Sequence, residues 1–89
     1  MKDAVVTPHA AYEKKRRGLT EELVRAVAEN PEQSEQIRPE RWVLQSRLQM
    51  GSPPKTYLVR VILDTERSPS EIVTAYRTSK ISKYRRNEE

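Results

Sequence analysis

Cysteine is absent from this chain of 89 residues, and histidine occurs once, at His9. Disulfides, thiolate metal sites and cysteine nucleophiles are excluded, and a single histidine is too few for an ordinary zinc site. No metal and no cofactor is therefore expected. There is no Phe and one Trp, Trp42, so the core has to be assembled from Leu, Ile, Val and Ala with some help from tyrosine. A domain of this size buries only about 60–65% of the surface its unfolded chain exposes, which leaves one thin core and no elaborate cavity. The two glycines, Gly18 and Gly51, cannot make a phosphate-cradling loop, and neither a nucleophile elbow nor a carboxylate pair for acid–base work is present. The apolar run Ala4 to Val6 is too short for a signal peptide or a membrane span. A cytoplasmic protein without membrane contact is the expectation.

What the chain does have is positive charge at its two ends. The formal net charge is +4, but residues 1–17 carry five Lys/Arg against two Asp/Glu, residues 18–71 seven against nine, and residues 72–89 five against two. Four of the five N-terminal cations form the block Lys14-Lys15-Arg16-Arg17. The C-terminal ones, Arg77, Lys80, Lys83, Arg85 and Arg86, are interleaved with Tyr76 and Tyr84. Solvated helix surface and a solvated tail are the plain explanation of both runs. A shared anion-binding surface is the functional one, and it requires the fold to bring the ends together.

Helix signals come first along the chain. Thr7 is a suitable N-cap with Pro8 at the first helical position, where its missing N–H costs nothing, and Gly18 is a suitable C-cap residue. A helix over residues 8–17 follows. A second starts at Thr20, with Glu21 and Glu22 complementing the helix dipole and Leu19 placed to staple against Val24. Leu23, Ala26 and Val27 form its expected buried stripe, and Asn30-Pro31 ends it. Residues 31–40, polar and with two prolines, read as a loop, with a short extended piece around Ile37 as the alternative. From Arg41 the period becomes two, with Trp42, Leu44, Leu48 and Met50 on one face, which predicts a strand to residue 50. Gly51-Ser52-Pro53-Pro54 turns the chain into a strand over 56–64, and a third strand spans 71–78. Residues 3–6 add a short edge strand at most. The expected architecture is α+β: an N-terminal αα-hairpin packed on a three- to four-stranded antiparallel β-meander, with a single domain over residues 1–80 and a charged C-terminal tail over 81–89.

Several side chains in this frame fit RNA chemistry. Metal-free cleavage needs a group to deprotonate the 2′-hydroxyl, one to protonate the leaving 5′-oxygen, and cations to stabilise the phosphorane. His9, at the second helical position, has an imidazole suited to proton transfer; the alternative is a capping or packing histidine. Glu13 and Arg16 fall about 40° and about 20° from His9 around the helix, so the three lie near one line. Tyr76 is a candidate proton-transfer group, or else a cross-strand packing residue. Arg77, Lys80 and Lys83 are next to it in sequence as phosphate ligands. Arg60 interrupts an apolar strand between Val59 and Val61, and its guanidinium either reaches solvent or enters a groove.

The motifs His9-Ala10, Arg17-Gly18-Leu19-Thr20-Glu21-Glu22, Asn30-Pro31 and Val73-Thr74-Ala75-Tyr76-Arg77-Thr78-Ser79-Lys80-Ile81 resemble a widespread family of small prokaryotic domains of unknown function. That family is grouped with RelE-like toxins and with the barnase, EndoU and colicin ribonuclease superfamily. The resemblance spans nearly the whole chain. It implies a ribonuclease-like fold with RNA as substrate or ligand, and it points to His9, Arg17, Thr74, Tyr76 and Lys80 as the matching polar positions. The resulting expectation is a metal-independent endoribonuclease of toxin type, with His9, Tyr76 and Lys80 catalytic and Arg16, Arg17, Arg60, Thr74, Arg77 and Lys83 binding substrate. A non-catalytic RNA- or DNA-binding module is the first alternative. The second is the protein-interaction half of a toxin–antitoxin-like pair, whose partner would be an acidic antitoxin-like protein.

Overall fold

The computed structural model describes residues 4–85. Its elements in chain order are β1 (Val5–Val6), α1 (Pro8–Arg16), α2 (Glu21–Glu29), β2 (Gln33–Arg38), β3 (Arg41–Met50), β4 (Lys55–Asp64), β5 (Glu71–Thr78) and a single helical turn, α3 (Ile81–Tyr84). Both longer helices begin as their caps dictate. The Ala10 N–H donates to the Thr7 hydroxyl oxygen at 3.2 Å, and the Leu23 N–H to that of Thr20 at 3.1 Å. At the end of α1, Gly18 adopts φ 72°, the Leu19 N–H donates to the Lys14 carbonyl, and the Gly18 N–H donates to that of Lys15. This is the Schellman closure, which needs a residue without a Cβ penalty at the left-handed position.

The five strands form one sheet in the order β1-β5-β4-β3-β2, antiparallel throughout except for β1, which runs parallel to β5 with Val5 opposite Glu71 and Val6 opposite Ile72. The α1 helix packs mainly on β5, and α2 on β3 and β4. Val24 and Val27 of α2 share a core with Leu44, Val61, Leu63 and Ile72 of the sheet.

This corrects the expected architecture. An αα-hairpin over a three- to four-stranded antiparallel meander is replaced by a five-stranded mixed sheet with three short helices. Ala10 is the one buried residue of α1, and so small an apolar face seats that helix on the sheet rather than against α2. Within α2 the buried residues are Val24, Val27 and Ala28, and Ala26 of the expected stripe is exposed.

Residues 33–38, expected as loop, form β2. As an edge strand it needs no apolar alternation: beyond Gln33 every residue is exposed, and Pro39 falls in the tight turn to β3, outside the ladder. The short edge strand at the start of the chain lies beside β5, where the Val5 N–H donates to the Ser70 carbonyl; Asp3 is outside the described residues. Of the segment 81–89, residues 81–84 form α3, and residues 86–89 lie outside the described part. Among the described residues no helix is long and apolar enough to cross a membrane.

Candidate functional site

Strand register decides which side chains meet. Leu44, Val61 and Ala75 are cross-strand neighbours under the helices, so the next residues along, Gln45, Arg60 and Tyr76, make a row on the opposite face, extended on β2 by Gln33. Hydrogen bonds run along the whole row. The Gln45 Nε2 donates to Gln33 Oε1 at 2.9 Å, Arg60 Nε donates to Gln45 Oε1 at 2.9 Å, and Arg60 Nη1 donates to the Tyr76 hydroxyl at 2.6 Å. From above, α3 closes on the row: the Tyr84 ring centroid is 4.4 Å from the Arg60 guanidinium carbon, and the Tyr84 carbonyl accepts from Gln45 Nε2 at 3.3 Å. Arg60 thus points into a polar network and does not snorkel away from it.

The helix-covered face carries a second cationic group at the end of the sheet where β4 begins and β5 stops. Arg77, adjacent to Val59, lies with its guanidinium carbon 4.6 Å from the centroid of Tyr57 and donates to the Met50 sulfur at 3.7 Å. The Lys55 ammonium is 5.7 Å from the same ring. Because α1 runs beside β5, its C-terminal turn arrives here. Arg16, Arg17, Gly18, Tyr57, Arg77, Thr78 and Ser79 line an open pocket of about 620 Å³. Glu13 bridges Arg16 at 3.3 Å and Arg17 at 3.6 Å, and among the described residues it is the only carboxylate paired with these arginines. Since β1 pairs only with Glu71 and Ile72, the rest of the outer edge of β5 has no strand partner among the described residues, and there the guanidinium carbon of Arg17 lies 5.9 Å from the Tyr76 ring centroid.

A neighbouring hollow of about 730 Å³ is lined by Arg47, Ser79, Lys80, Ile81, Ser82 and Arg85. Its two arginines share one carboxylate, Glu32. Arg47 bonds Glu32 through Nε at 3.1 Å, and Arg85 Nε lies 3.9 Å from the same carboxylate. Hydrogen bonds from the Arg47 guanidinium and backbone N–H hold the Glu32 carboxyl below its ordinary range, with Arg85 adding to the effect.

The structure therefore brings together Arg17, Arg60 and Tyr76 around the open edge of β5, and Arg16, Arg17 and Arg77 in one pocket. Thr74 is half-buried on the face of Arg60, Lys80 lines the neighbouring hollow, and the Lys83 ammonium lies 5.3 Å from the Tyr84 ring centroid. His9 is exposed at the other end of α1, about 10 Å of helix axis from Arg16. Gln33, Gln45 and Tyr57 belong to these networks without any sequence signal for a site, and Tyr84 was marked only by its place among the C-terminal cations. The signal for one participant was that Arg60 interrupts the otherwise apolar stretch from Tyr57 to Leu63. Among the described residues no group of three or more His, Cys, Asp or Glu is placed to hold a metal ion. In comparisons with known proteins, no family model, curated protein or solved structure matches this chain.

Proposed function

We propose that this protein binds RNA through the end of its sheet where α1 and β5 stop, holding backbone phosphates on arginines that tyrosines keep in place. The observation that carries the reading is the pocket formed by Arg16, Arg17 and Arg77, three guanidiniums from two parts of the chain facing a single carboxylate, Glu13, among the described residues. A guanidinium resting against an aromatic face keeps its five N–H donors in its own plane, free for bidentate contact with phosphate oxygens. Arg77 lies that way at Tyr57, 4.6 Å from the ring centroid, with Nη1 also directed to the Met50 sulfur. The resemblance of the terminal motifs to ribonuclease-like domains is what selects RNA over DNA as the ligand.

The test is fluorescence anisotropy with a labelled single-stranded RNA. Binding should weaken steeply with salt. Combining Arg16→Ala with Arg77→Ala should reduce both the affinity and its salt slope, by about 0.7 in the slope for each phosphate that is no longer neutralised. A wild-type protein that fails to bind RNA at low salt ends this reading.

One observation favours cleavage as a second reading. The Tyr76 hydroxyl accepts from Arg60, which leaves its own proton available for donation to a leaving 5′-oxygen beside Arg17. His9, at the far end of α1, takes no part in that scheme. Incubation with RNA in the presence of EDTA decides it: products that disappear in Tyr76→Phe support cleavage, and an intact substrate with wild type leaves binding alone. Capture of a small acidic protein in place of RNA would instead favour the interaction-domain reading.

A further inference from the structure

We infer that the pocket of Arg16, Arg17 and Arg77 seats a terminal phosphate monoester of the RNA; this rests on the RNA-binding reading above. Charge is the first argument. Among the described residues, three guanidiniums against the Glu13 carboxylate leave two positive charges uncompensated. A phosphodiester inside a strand carries one negative charge, whereas a phosphate monoester carries about 1.5 to 2 at neutral pH. The pocket matches the monoester.

Donor geometry is the second argument. The end of a helix ordinarily presents bare carbonyls, which repel anions. Here the Leu19 and Gly18 N–H groups already occupy the carbonyls of Lys14 and Lys15, at 2.8 and 3.1 Å, so the arginines dominate what the pocket presents. Gly18 contributes no side chain to the wall, and a Cβ there would come to 4.0 Å from Arg77 Nη2. At the other wall, Thr78 Oγ1 accepts from the Lys80 N–H at 3.1 Å, which keeps the hydroxyl proton of Thr78 free to donate to a phosphate oxygen. Size agrees: about 620 Å³ lies inside the ~300–1,000 Å³ typical of small-ligand sites and has room for a terminal nucleotide as well as its phosphate.

The experiment compares one single-stranded RNA in three forms, with a 5′-phosphate, with a 3′-phosphate, and with hydroxyls at both ends, each carrying an internal fluorophore. One phosphorylated form should bind about tenfold or more tightly than the hydroxyl form, the scale of added charge-assisted hydrogen bonds, and the form that does so identifies the end recognised. Arg77→Lys should abolish most of that preference, while Arg67→Ala, in the exposed turn before β5, should keep it. A second measurement is independent of any variant. Titration of the wild type with adenosine 5′-monophosphate and adenosine 3′-monophosphate, followed by amide NMR, should shift Gly18 and Ser79 with one of them and not with adenosine. Equal affinity for all three RNAs, with no nucleotide-induced shift at Gly18, overturns the terminal-phosphate site while leaving RNA binding intact. Failure to bind any of the RNAs overturns both.

Discussion

Arg60 and Tyr76, opposite one another on adjacent strands, are joined by a 2.6 Å hydrogen bond from the guanidinium Nη1 to the phenolic oxygen. The same guanidinium reaches Gln45 on its other side, so one residue of β4 ties β3 to β5 through side chains as well as through the ladder. A charged side chain in mid-strand is tolerable here because its donors meet acceptors before they would need water.

Removing it should therefore be costly. Arg60→Ala leaves the Gln45 oxygen and the Tyr76 hydroxyl without their donor, and an expected loss of about 1–3 kcal/mol follows. Tyr76→Phe removes one bond only, for about 1 kcal/mol. Urea unfolding of the two variants checks the order, and a loss smaller for Arg60→Ala than for Tyr76→Phe would contradict the network.

Gly18 isolates a backbone effect. Its φ of 72° disfavours any side chain, yet an added Cβ would find nothing closer than 4.0 Å. Gly18→Ala should lose about 1 kcal/mol through the left-handed conformation alone. The thermal midpoint of that variant measures it, and an unchanged midpoint would mean that α1 closes some other way.

Core and edge positions should separate clearly. Leu63 is 0% exposed among the residues that α2 covers, whereas Ile37 on β2 is 52% exposed. Leu63→Ala is expected to cost about 2–5 kcal/mol, and Ile37→Ala to stay within about 0.5. Comparable losses at the two sites in chemical denaturation would place the core elsewhere.

Acid should weaken the fold through two carboxylates. Glu32 is held below its ordinary 4.5 by hydrogen bonds from the side chain and backbone of Arg47, and Asp64 below its ordinary 3.8 by the backbone N–H of Glu66 and then Arg41. A carboxyl with a folded pKa below its unfolded one adds stability above the unfolded value and loses it as pH falls through the folded value. The urea midpoint should hold steady from neutral pH down to about 5 and then decline below about 4.5. The Glu32→Gln, Asp64→Asn double variant should show a shallower acid decline; a slope equal to wild type would assign the acid sensitivity to other groups.

Much of the local structure was written in single residues. Thr7 and Thr20 cap as their hydroxyls permit, Gly18 ends α1, and the two-residue period from Trp42 onward names the buried face of β3 and β4. The polar edge strand β2 was legible only as a short extended piece around Ile37, because strand patterning comes from burying one face and β2 buries only Gln33. The site was legible in part. Arg60 stood out as an intruder, but its partners Gln45, Tyr76 and Tyr84 sit 15, 16 and 24 positions away in sequence, and it takes strand register for the first two and the packing of α3 for the third to make them meet.

The amino-acid sequence by itself determined the caps, the turns, the alternation of the central strands and the placing of positive charge at both ends, because each depends on residues a few positions apart. Tertiary structure alone decided that β1 lies parallel to β5, that the helices sit on separate strands, and that the end of α1 delivers Arg16 and Arg17 to Arg77 while His9 stays at the far end. Those outcomes depend on contacts between segments distant along the chain, and such contacts are selected by how the whole apolar surface is covered.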